Sequence, residues 1–207
     1  MGRLLVHTPG MLRLPLILVL LTMVSNPTAA AGTDASGLLI DDFAHDDGVS
    51  RLGTPWRVVT DRVMGGVSEA SMALRIVDGR RALCLSGDVS LANNGGFVQV
   101  NLDLAPSGSL DASAFDGVRL VVRGNGQTYN LHLKTTATTM PWQSYRAEFP
   151  AGPAWQEVRL PFADFEPHRL VPALDVSRLR RLGIVAIGRE MHADVCVAYI
   201  GFYGGGR

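Results

Sequence analysis

Residues 61–68 read Asp-Arg-Val-Met-Gly-Gly-Val-Ser, and residues 93–97 read Asn-Asn-Gly-Gly-Phe. Each of these two segments lies between stretches in which apolar and polar residues alternate. A Gly-Gly pair in such a setting supplies backbone angles with positive φ, or lets a strand pass close to another backbone. The two segments therefore predict tight corners in a β-structure.

The alternation of apolar and polar residues is the main pattern of the chain, and long stretches with the period of a helix are missing. This pattern predicts ten strands, at residues 56–60, 71–77, 81–86, 98–104, 118–123, 129–134, 144–149, 155–160, 182–187 and 194–202. Residues 123–127 indicate a hairpin turn, and Leu174–Arg181 a short helix that begins after Asp175. Many short strands separated by Gly, Pro and Asn predict an all-β, antiparallel sandwich.

The first 31 residues have the layout of a secretory signal peptide. Arg3 and Arg13 give a basic start, an apolar run of 11 residues spans Leu14–Val24, and small residues follow at 29–31. A spanning helix needs about 20 apolar residues. A mitochondrial presequence is the rival interpretation, because the leader has no acidic residue. We expect an exported protein, periplasmic or secreted, with no membrane span after removal of the signal.

The remaining chain is long enough for one domain, which we place at residues 39–203. Residues 32–38 are predicted to be a flexible leader, and residues 204–207 a tail. The sequence has 19 basic and 19 acidic residues, and removal of the leader with its two arginines leaves 17 against 19. This balance argues against a nucleic-acid partner. Lys134 is the only lysine, so almost all positive charge is on guanidinium groups, which favour planar contacts with carboxylates.

Two cysteines, Cys84 and Cys196, each lie between apolar residues of a predicted strand. Both thiols should therefore point away from the core. In an oxidising compartment they can pair if the two strands are neighbours. The alternative is two isolated thiols, and the sequence leaves both open.

The order of several motifs resembles the complex I intermediate-associated protein 30 family. The first motif is Trp56 followed by residues 60–68, and the later ones are residues 87–91, 93–97, 115–118, 123–129, 144–149 and 155–167. The resemblance covers roughly residues 39–203 and implies a galactose-binding-like β-sandwich (jelly roll).

The same resemblance implies a chaperone-like role, because eukaryotic members of the family help to assemble respiratory complex I. The export signal departs from that role, and residues 168–173 lack the glycine expected after the Phe-x-Pro stretch. We expect a non-enzymatic binding module with a protein partner in the cell envelope. A carbohydrate-binding module is the first alternative, and a hydrolase that uses His132 with a carboxylate such as Glu148 is the second.

The family-signature turns are candidate sites with two interpretations. Their members are Asp61, Met64, Gly65, Gly66, Ser68, Asn93, Asn94, Gly95 and Gly96. They form either structural corners, in which Asp61 binds backbone amides, or a recognition loop with an exposed Met64. The asparagine segment is either a turn or a contact for a sugar hydroxyl or a cation.

A second candidate site is the polar face of the central strands, with Trp142 in a loop at its rim. If the central strands pair in one sheet, strand parity places these candidates on one face: Arg119, Arg123, Asn130, His132, Lys134 and Arg146. Aromatic and planar cationic groups suit a sugar, a carboxylate or a peptide. The alternative is an ordinary solvated face. No catalytic set, metal-ligand spacing or cofactor fingerprint is found in the sequence.

Overall fold

The computed structural model of the protein describes residues 1–2 and 37–204. The predicted signal peptide from residue 3, the predicted leader up to residue 36, and residues 205–207 lie outside the described residues. From residue 37 to residue 204 the chain belongs to one compact unit. None of the helices within the described ranges is long and apolar enough to cross a membrane.

Within residues 37–204, twelve strands build two sheets in which every pairing is antiparallel. The strands are β1 (Leu38–Asp41), β2 (Arg57–Thr60), β3 (Glu69–Val77), β4 (Arg80–Val89), β5 (Phe97–Asp103), β6 (Gly117–Gly124), β7 (Gln127–Thr135), β8 (Ser144–Ala151), β9 (Gln156–Pro161), β10 (Glu166–His168), β11 (Leu179–Ile187) and β12 (Met191–Tyr203). The back sheet has the order β3-β4-β12-β6-β9, with β1 also paired to β12. The front sheet has the order β10-β8-β7-β11-β5-β2.

The core lies between the two sheets and follows the alternation in the sequence. On β5, Val98, Val100 and Leu102 are at most 1% exposed, and Gln99 and Asn101 point to the opposite side. Aromatic side chains from both sheets fill the core, and among them the rings of Tyr129 and Phe149 stack at 6.1 Å. The prediction of an antiparallel, galactose-binding-like β-sandwich is confirmed.

The predicted elements differ from the structure at four places. All ten predicted strands are present, but β1 and β10 were missed, since β1 has only four residues and β10 has three. The helix predicted for Leu174–Arg181 is wrong. The chain instead forms a 3-10 turn, Val176–Arg178, capped by a hydrogen bond from the Ser177 N–H to Asp175, and β11 begins directly afterwards.

The hairpin predicted at residues 123–127 is also wrong. β6 ends at Gly124 and β7 begins at Gln127, but β6 belongs to the back sheet and β7 to the front sheet. The turn is therefore a corner that carries the chain from one sheet to the other. Its glycine Gly126 has a φ of 82°, which explains the need for glycine there.

Cys84 on β4 and Cys196 on β12 lie directly opposite each other and form a disulfide. The bond lies on the outer side of the back sheet, in a small cluster apart from the main core, where Trp155 packs against it. The pairing that the sequence left open is thus decided by the neighbouring positions of the two strands.

Candidate ligand-binding groove

The two glycine segments meet at the carboxylate of Asp61, which is fully buried. Oδ1 of Asp61 accepts a hydrogen bond from the Ser68 N–H at 3.0 Å. Oδ2 accepts bonds from the N–H groups of Gly96 at 2.6 Å and Phe97 at 3.3 Å, and from the Ser68 hydroxyl. Burial alone would raise the pKa of Asp61, but these hydrogen bonds outweigh it and hold the pKa below its usual value.

Glycine is required at this corner for two different reasons. A Cβ on Gly66 would overlap the carboxyl group of Asp61, and a Cβ on Gly95 would lie 2.5 Å from its Oδ2. Gly65 and Gly96 instead have positive φ angles of 90° and 130°. Asp61 therefore makes the backbone contacts that the structural interpretation predicted.

The asparagine turn also has a left-handed backbone. Asn93 and Asn94 have φ angles of 57° and 58°, a region that asparagine tolerates better than most residues. Both side chains are exposed. The turn interpretation therefore accounts for the backbone of these two residues, and Asn94 also lines a groove on the front sheet.

A groove of about 860 Å³ crosses the outer side of the front sheet. This volume falls within the range of ligand sites in proteins. The groove brings together predicted residues from both candidate sites: Met64, Asn94, Gly95, Gly96, His132, Lys134, Trp142 and Arg146. The corner and recognition interpretations of the signature turns are thus compatible, because Asp61 supports the turn and Met64 reaches the groove.

The strand register arranges the floor of the groove in rows. In the middle row, Arg146 on β8 lies opposite His132 on β7, and Gly183 on β11 lies between His132 and Asn101 on β5. Gly183 has no side chain, and the nearest atom to a Cβ at this position would be Gln99 Oε1 at 3.2 Å. The row on the β7–β8 loop side consists of Lys134, Arg181 and Asp103.

The groove has ends of different character. Five cationic side chains line the side next to the β7–β8 loop, which we call the cationic end: Lys134, Arg146, Arg169, Arg180 and Arg181. The opposite corner, the apolar end, is lined by Val63, Met64, Phe97 and Ile187. The two ends of the groove correspond to the two ends of the β5–β11 pair. Ile187 pairs with Phe97 at one end of this pair, and Arg181 pairs with Asp103 at the other.

Trp142 lies at the rim of the cationic end, 43% exposed, in the loop between β7 and β8. Gln143 braces this loop. Its Oε1 accepts hydrogen bonds of 3.0 Å from the N–H groups of Thr139 and Met140, and its Nε2 donates to the carbonyl of Arg169 at 3.1 Å. The indole is therefore held next to the groove by a hydrogen-bonded turn.

His132 is the least satisfied group of the groove. Its side chain is 8% exposed, and among the described residues its Nε2 is the one buried side-chain nitrogen or oxygen atom without a hydrogen-bond partner. Burial, together with the charges of Arg146 and Lys134, lowers its pKa to about 3. The ring is thus neutral near pH 7, with one nitrogen that donates and one that accepts.

The predicted polar face is divided between two surfaces. Arg119 and Arg123 lie on β6 of the back sheet, where Arg119 stacks on the ring of Tyr199 at 4.3 Å and Arg123 pairs with Asp78. Their placement on one face with His132 was wrong, because alternation fixes the side of a strand but not its sheet. Asn130 is on the front sheet, in a smaller depression of about 430 Å³ next to the groove.

Sequence reasoning missed three arginines of the cationic end. Arg180 and Arg181 were assigned to the predicted helix, and Arg169 follows β10, which was not predicted. Arg169 has a φ of 56°, which nothing in its local sequence indicates. For Arg180 and Arg181, the one available signal was their position directly before the apolar residues of β11.

The groove and the two stacked antiparallel sheets define a galactose-binding-like β-sandwich module. The sequence also matches the family model described as complex I intermediate-associated protein 30 (CIA30) over residues 42–194. The chain belongs to this family. Comparison with curated proteins gives no match.

Solved structures share the fold at low sequence identity. The family 11 carbohydrate-binding module of the cellulosomal cellulase Lic26A-Cel5E of Clostridium thermocellum has a TM-score of 0.64 and 13% identity, over 82% of this chain and 95% of that one. The family 11 module from the same organism in complex with a β-1,3-1,4-mixed-linked tetrasaccharide has a TM-score of 0.63 and 14% identity, over 83% and 98%. An agarase, AgWH50C, has a TM-score of 0.55 and 10% identity, over 83% and 25%.

Proposed function

We propose that this protein is a non-enzymatic module that binds a polysaccharide chain in the groove of the front sheet. The observation that carries the proposal is the combination of an open groove, a rim tryptophan and an unpartnered imidazole nitrogen on the floor. Sugar rings stack on indole faces, and their hydroxyls donate and accept hydrogen bonds as the neutral ring of His132 does.

The shared fold supports this proposal over the protein partner that the sequence favoured. The family 11 module with a similar fold is described in complex with a mixed-linked tetrasaccharide. The groove crosses β8, β7, β11 and β5, and three inter-strand spacings amount to about 14 Å. A groove of this width accommodates several consecutive sugar units.

The contacts of His132 count against the hydrolase alternative. Its neighbour on β8 is Arg146, whereas Glu148 lies opposite Asn130. The charged groups that act on the His132 pKa are all cationic or imidazole groups. A general base must have a pKa near the working pH and lie within hydrogen-bond reach of the proton that it removes. The imidazole of His132, with a pKa of about 3, is too weak a base for this role.

A panel of polysaccharides in affinity gel electrophoresis tests the proposal. At least one polysaccharide should retard the wild type, and Trp142→Ala should weaken the retardation at least tenfold. The matched control is Ile76→Ala, which removes another exposed apolar side chain, on β3 of the back sheet. Equal retardation of Trp142→Ala and Ile76→Ala would overturn the proposal. The absence of retardation with every polysaccharide would also overturn it.

A protein ligand is the second candidate, favoured by two exposed apolar side chains at the apolar end. Val63 is 70% exposed and Met64 45% exposed. Exposed apolar groups beside a groove are typical of protein contacts. A partner that binds there should be lost from co-purification with Met64→Glu and kept with Ile76→Glu. Equal recovery with both variants would remove this candidate.

We also propose that the protein is exported, to the periplasm or the medium. The leader composition and the Cys84–Cys196 disulfide both support an oxidising compartment. Cell fractionation followed by mass spectrometry should find the protein outside the cytoplasm, processed near Ala31 and without free thiols. A full-length cytoplasmic protein with two free thiols would contradict export.

A further inference from the structure

The cationic end contains more positive charge than the protein itself neutralises. Among the residues that the structure describes, Asp103 is the only acidic one that lines the groove, and it already accepts hydrogen bonds from Arg181 at 2.7 Å and Arg57 at 2.8 Å. Within the described residues, four lining cations have no carboxylate in salt-bridge contact: Lys134, Arg146, Arg169 and Arg180. This surplus contrasts with the overall charge balance of the sequence.

The positions of these cations make their charges mutually unfavourable. Burial, followed by the charges of Arg181, Arg146 and Arg180, lowers the pKa of Lys134. Burial and the charge of Arg169 likewise lower the pKa of Arg146. Partly buried like charges are costly unless an anion compensates them. Without a bound anion, the positive charges of the cationic end are therefore only partly compensated.

The neutral contacts of the same groups leave room for an anion. Lys134 donates to the carbonyl of Pro141 at 2.6 Å, and Arg146 uses its Nε to donate to the Ser144 hydroxyl at 3.0 Å. The described structure gives no hydrogen bond for either terminal guanidinium nitrogen of Arg146. Arg146 lies opposite His132 in the middle row and lines the groove, and a guanidinium can donate two parallel hydrogen bonds to a planar carboxylate.

We propose that the groove selects acidic polysaccharides, whose sugar rings carry carboxylates, and that the cationic end binds these carboxylates. The inference rests on the proposed function, since it names the class of glycan. Arg146 is the primary carboxylate contact, Lys134 and Arg180 supply further charge, and Trp142 stacks on the ring of the same or the next sugar. His132 binds a hydroxyl of the chain.

The distribution of charge favours a glycan over a nucleic acid. The groove combines cationic side chains with an apolar end, whereas proteins that bind single-stranded nucleic acid combine a basic groove with aromatic side chains on which successive bases stack. The apolar end, with Val63, Met64 and Phe97, suits the less polar faces of a sugar chain. Trp142 and Phe97 line opposite ends of the groove, which does not suit the stacking of consecutive bases.

The deciding experiment compares two ligands with the same backbone and different charge, together with four further polymers. Affinity electrophoresis of the purified protein uses polygalacturonate, the same polymer with its carboxyls methyl-esterified, neutral mixed-linkage β-glucan, a sulfated glycan, poly-glutamate and single-stranded DNA. The variants are Arg146→Gln and Lys134→Gln. The control is Arg75→Gln, an exposed arginine on β3 of the back sheet.

The proposal predicts binding to polygalacturonate at least tenfold tighter than to its ester, weakening as salt rises. Arg146→Gln should reduce this affinity about tenfold, and Arg75→Gln should leave it unchanged. Equal binding to the ester or to neutral glucan would overturn the acidic selectivity and leave the proposed function standing. Tighter binding to the sulfated glycan, poly-glutamate or DNA would also overturn it. The absence of binding to every glycan would overturn the proposed function itself.

Discussion

The backbone N–H of Gly96 donates a hydrogen bond of 2.6 Å to Oδ2 of Asp61, a residue 35 positions earlier in the chain. Through this bond the turn after β2 and the turn before β5 become one corner at the edge of the groove. The corner positions Met64 and Gly95 among the lining residues. The stability of the corner and the shape of the groove are therefore coupled through one carboxylate.

Asp61→Asn should destabilise the protein by about 2–3 kcal/mol, since a buried charged acceptor of several hydrogen bonds is lost. An amide has only one acceptor oxygen, so its NH₂ group would face N–H donors that now bind Oδ1 or Oδ2. Urea unfolding measures the effect. The control is Glu190→Gln, the same chemical change at an exposed residue. Equal free energies of unfolding for the two variants would contradict this account of the corner.

Acid should lower the free energy of unfolding of the wild type more than that of Asp61→Asn. The pKa of Asp61 is lowered in the folded protein from a reference value of 3.8. A lowered pKa stabilises the folded state above the unfolded pKa, and this stability is lost as the pH falls through the folded pKa. The difference in unfolding free energy between wild type and variant should thus be constant near neutrality and shrink below about pH 4. A difference that stays constant down to pH 2 would show that the carboxylate charge is not involved.

Alanine should be poorly tolerated at Gly66 and Gly95, where the added Cβ would collide with Asp61. Overpacking of this kind costs about 1–3 kcal/mol. Gly152→Ala is the matched control, because the nearest atom to its Cβ would be a flexible side-chain oxygen at 3.6 Å. Thermal unfolding should show a lower Tm for Gly66→Ala and Gly95→Ala alone. An unchanged Tm for Gly66→Ala would mean that the corner adapts freely.

The disulfide should contribute to stability without being needed for the fold. Cys84 and Cys196 are 112 positions apart, and closing a loop of that length stabilises by about 5 kcal/mol in the chain-entropy description. The bond lies outside the main core, so the sandwich should persist without it. A Cys84→Ala, Cys196→Ala double variant should keep its β-sheet circular dichroism and unfold at lower urea.

Reducing agent provides the internal control for this prediction. It should lower the urea midpoint of the wild type and leave that of the double variant unchanged. If the reduced wild type unfolds at the same urea concentration as the oxidised one, the crosslink adds nothing to stability.

The sequence predicted the side of a strand on which a residue lies better than it predicted which strands pair. Alternation placed His132, Lys134 and Arg146 on the outer side of their strands, because side-chain direction is a local property with a period of two. It also placed Arg123 there, although β6 joins the other sheet. Strand pairing depends on contacts distant in sequence, and no local pattern encodes it.

The same distinction explains the unpredicted part of the groove. The Asp61 corner was predictable as a turn, since glycine pairs have a local signature. The sequence did not show that the turn at residues 93–97 contacts Asp61 in the folded protein. Arg169, Arg180 and Arg181 reach the groove only because β10 and β11 flank β8 and β7 in the front sheet.

Gly183→Val should separate folding from binding. Gly183 lies on the outer side of β11 in the groove floor, between His132 and Asn101. The nearest atom to an added Cβ would be the flexible Gln99 Oε1 at 3.2 Å, and valine is favoured in strands. The variant should therefore keep a Tm close to that of the wild type. Its side chain would fill the floor next to the imidazole, so polysaccharide affinity should fall at least tenfold. Ser71→Val, at an exposed position of β3 in the back sheet, should keep both properties. Full affinity in a folded Gly183→Val variant would show that the ligand does not reach the floor of the groove.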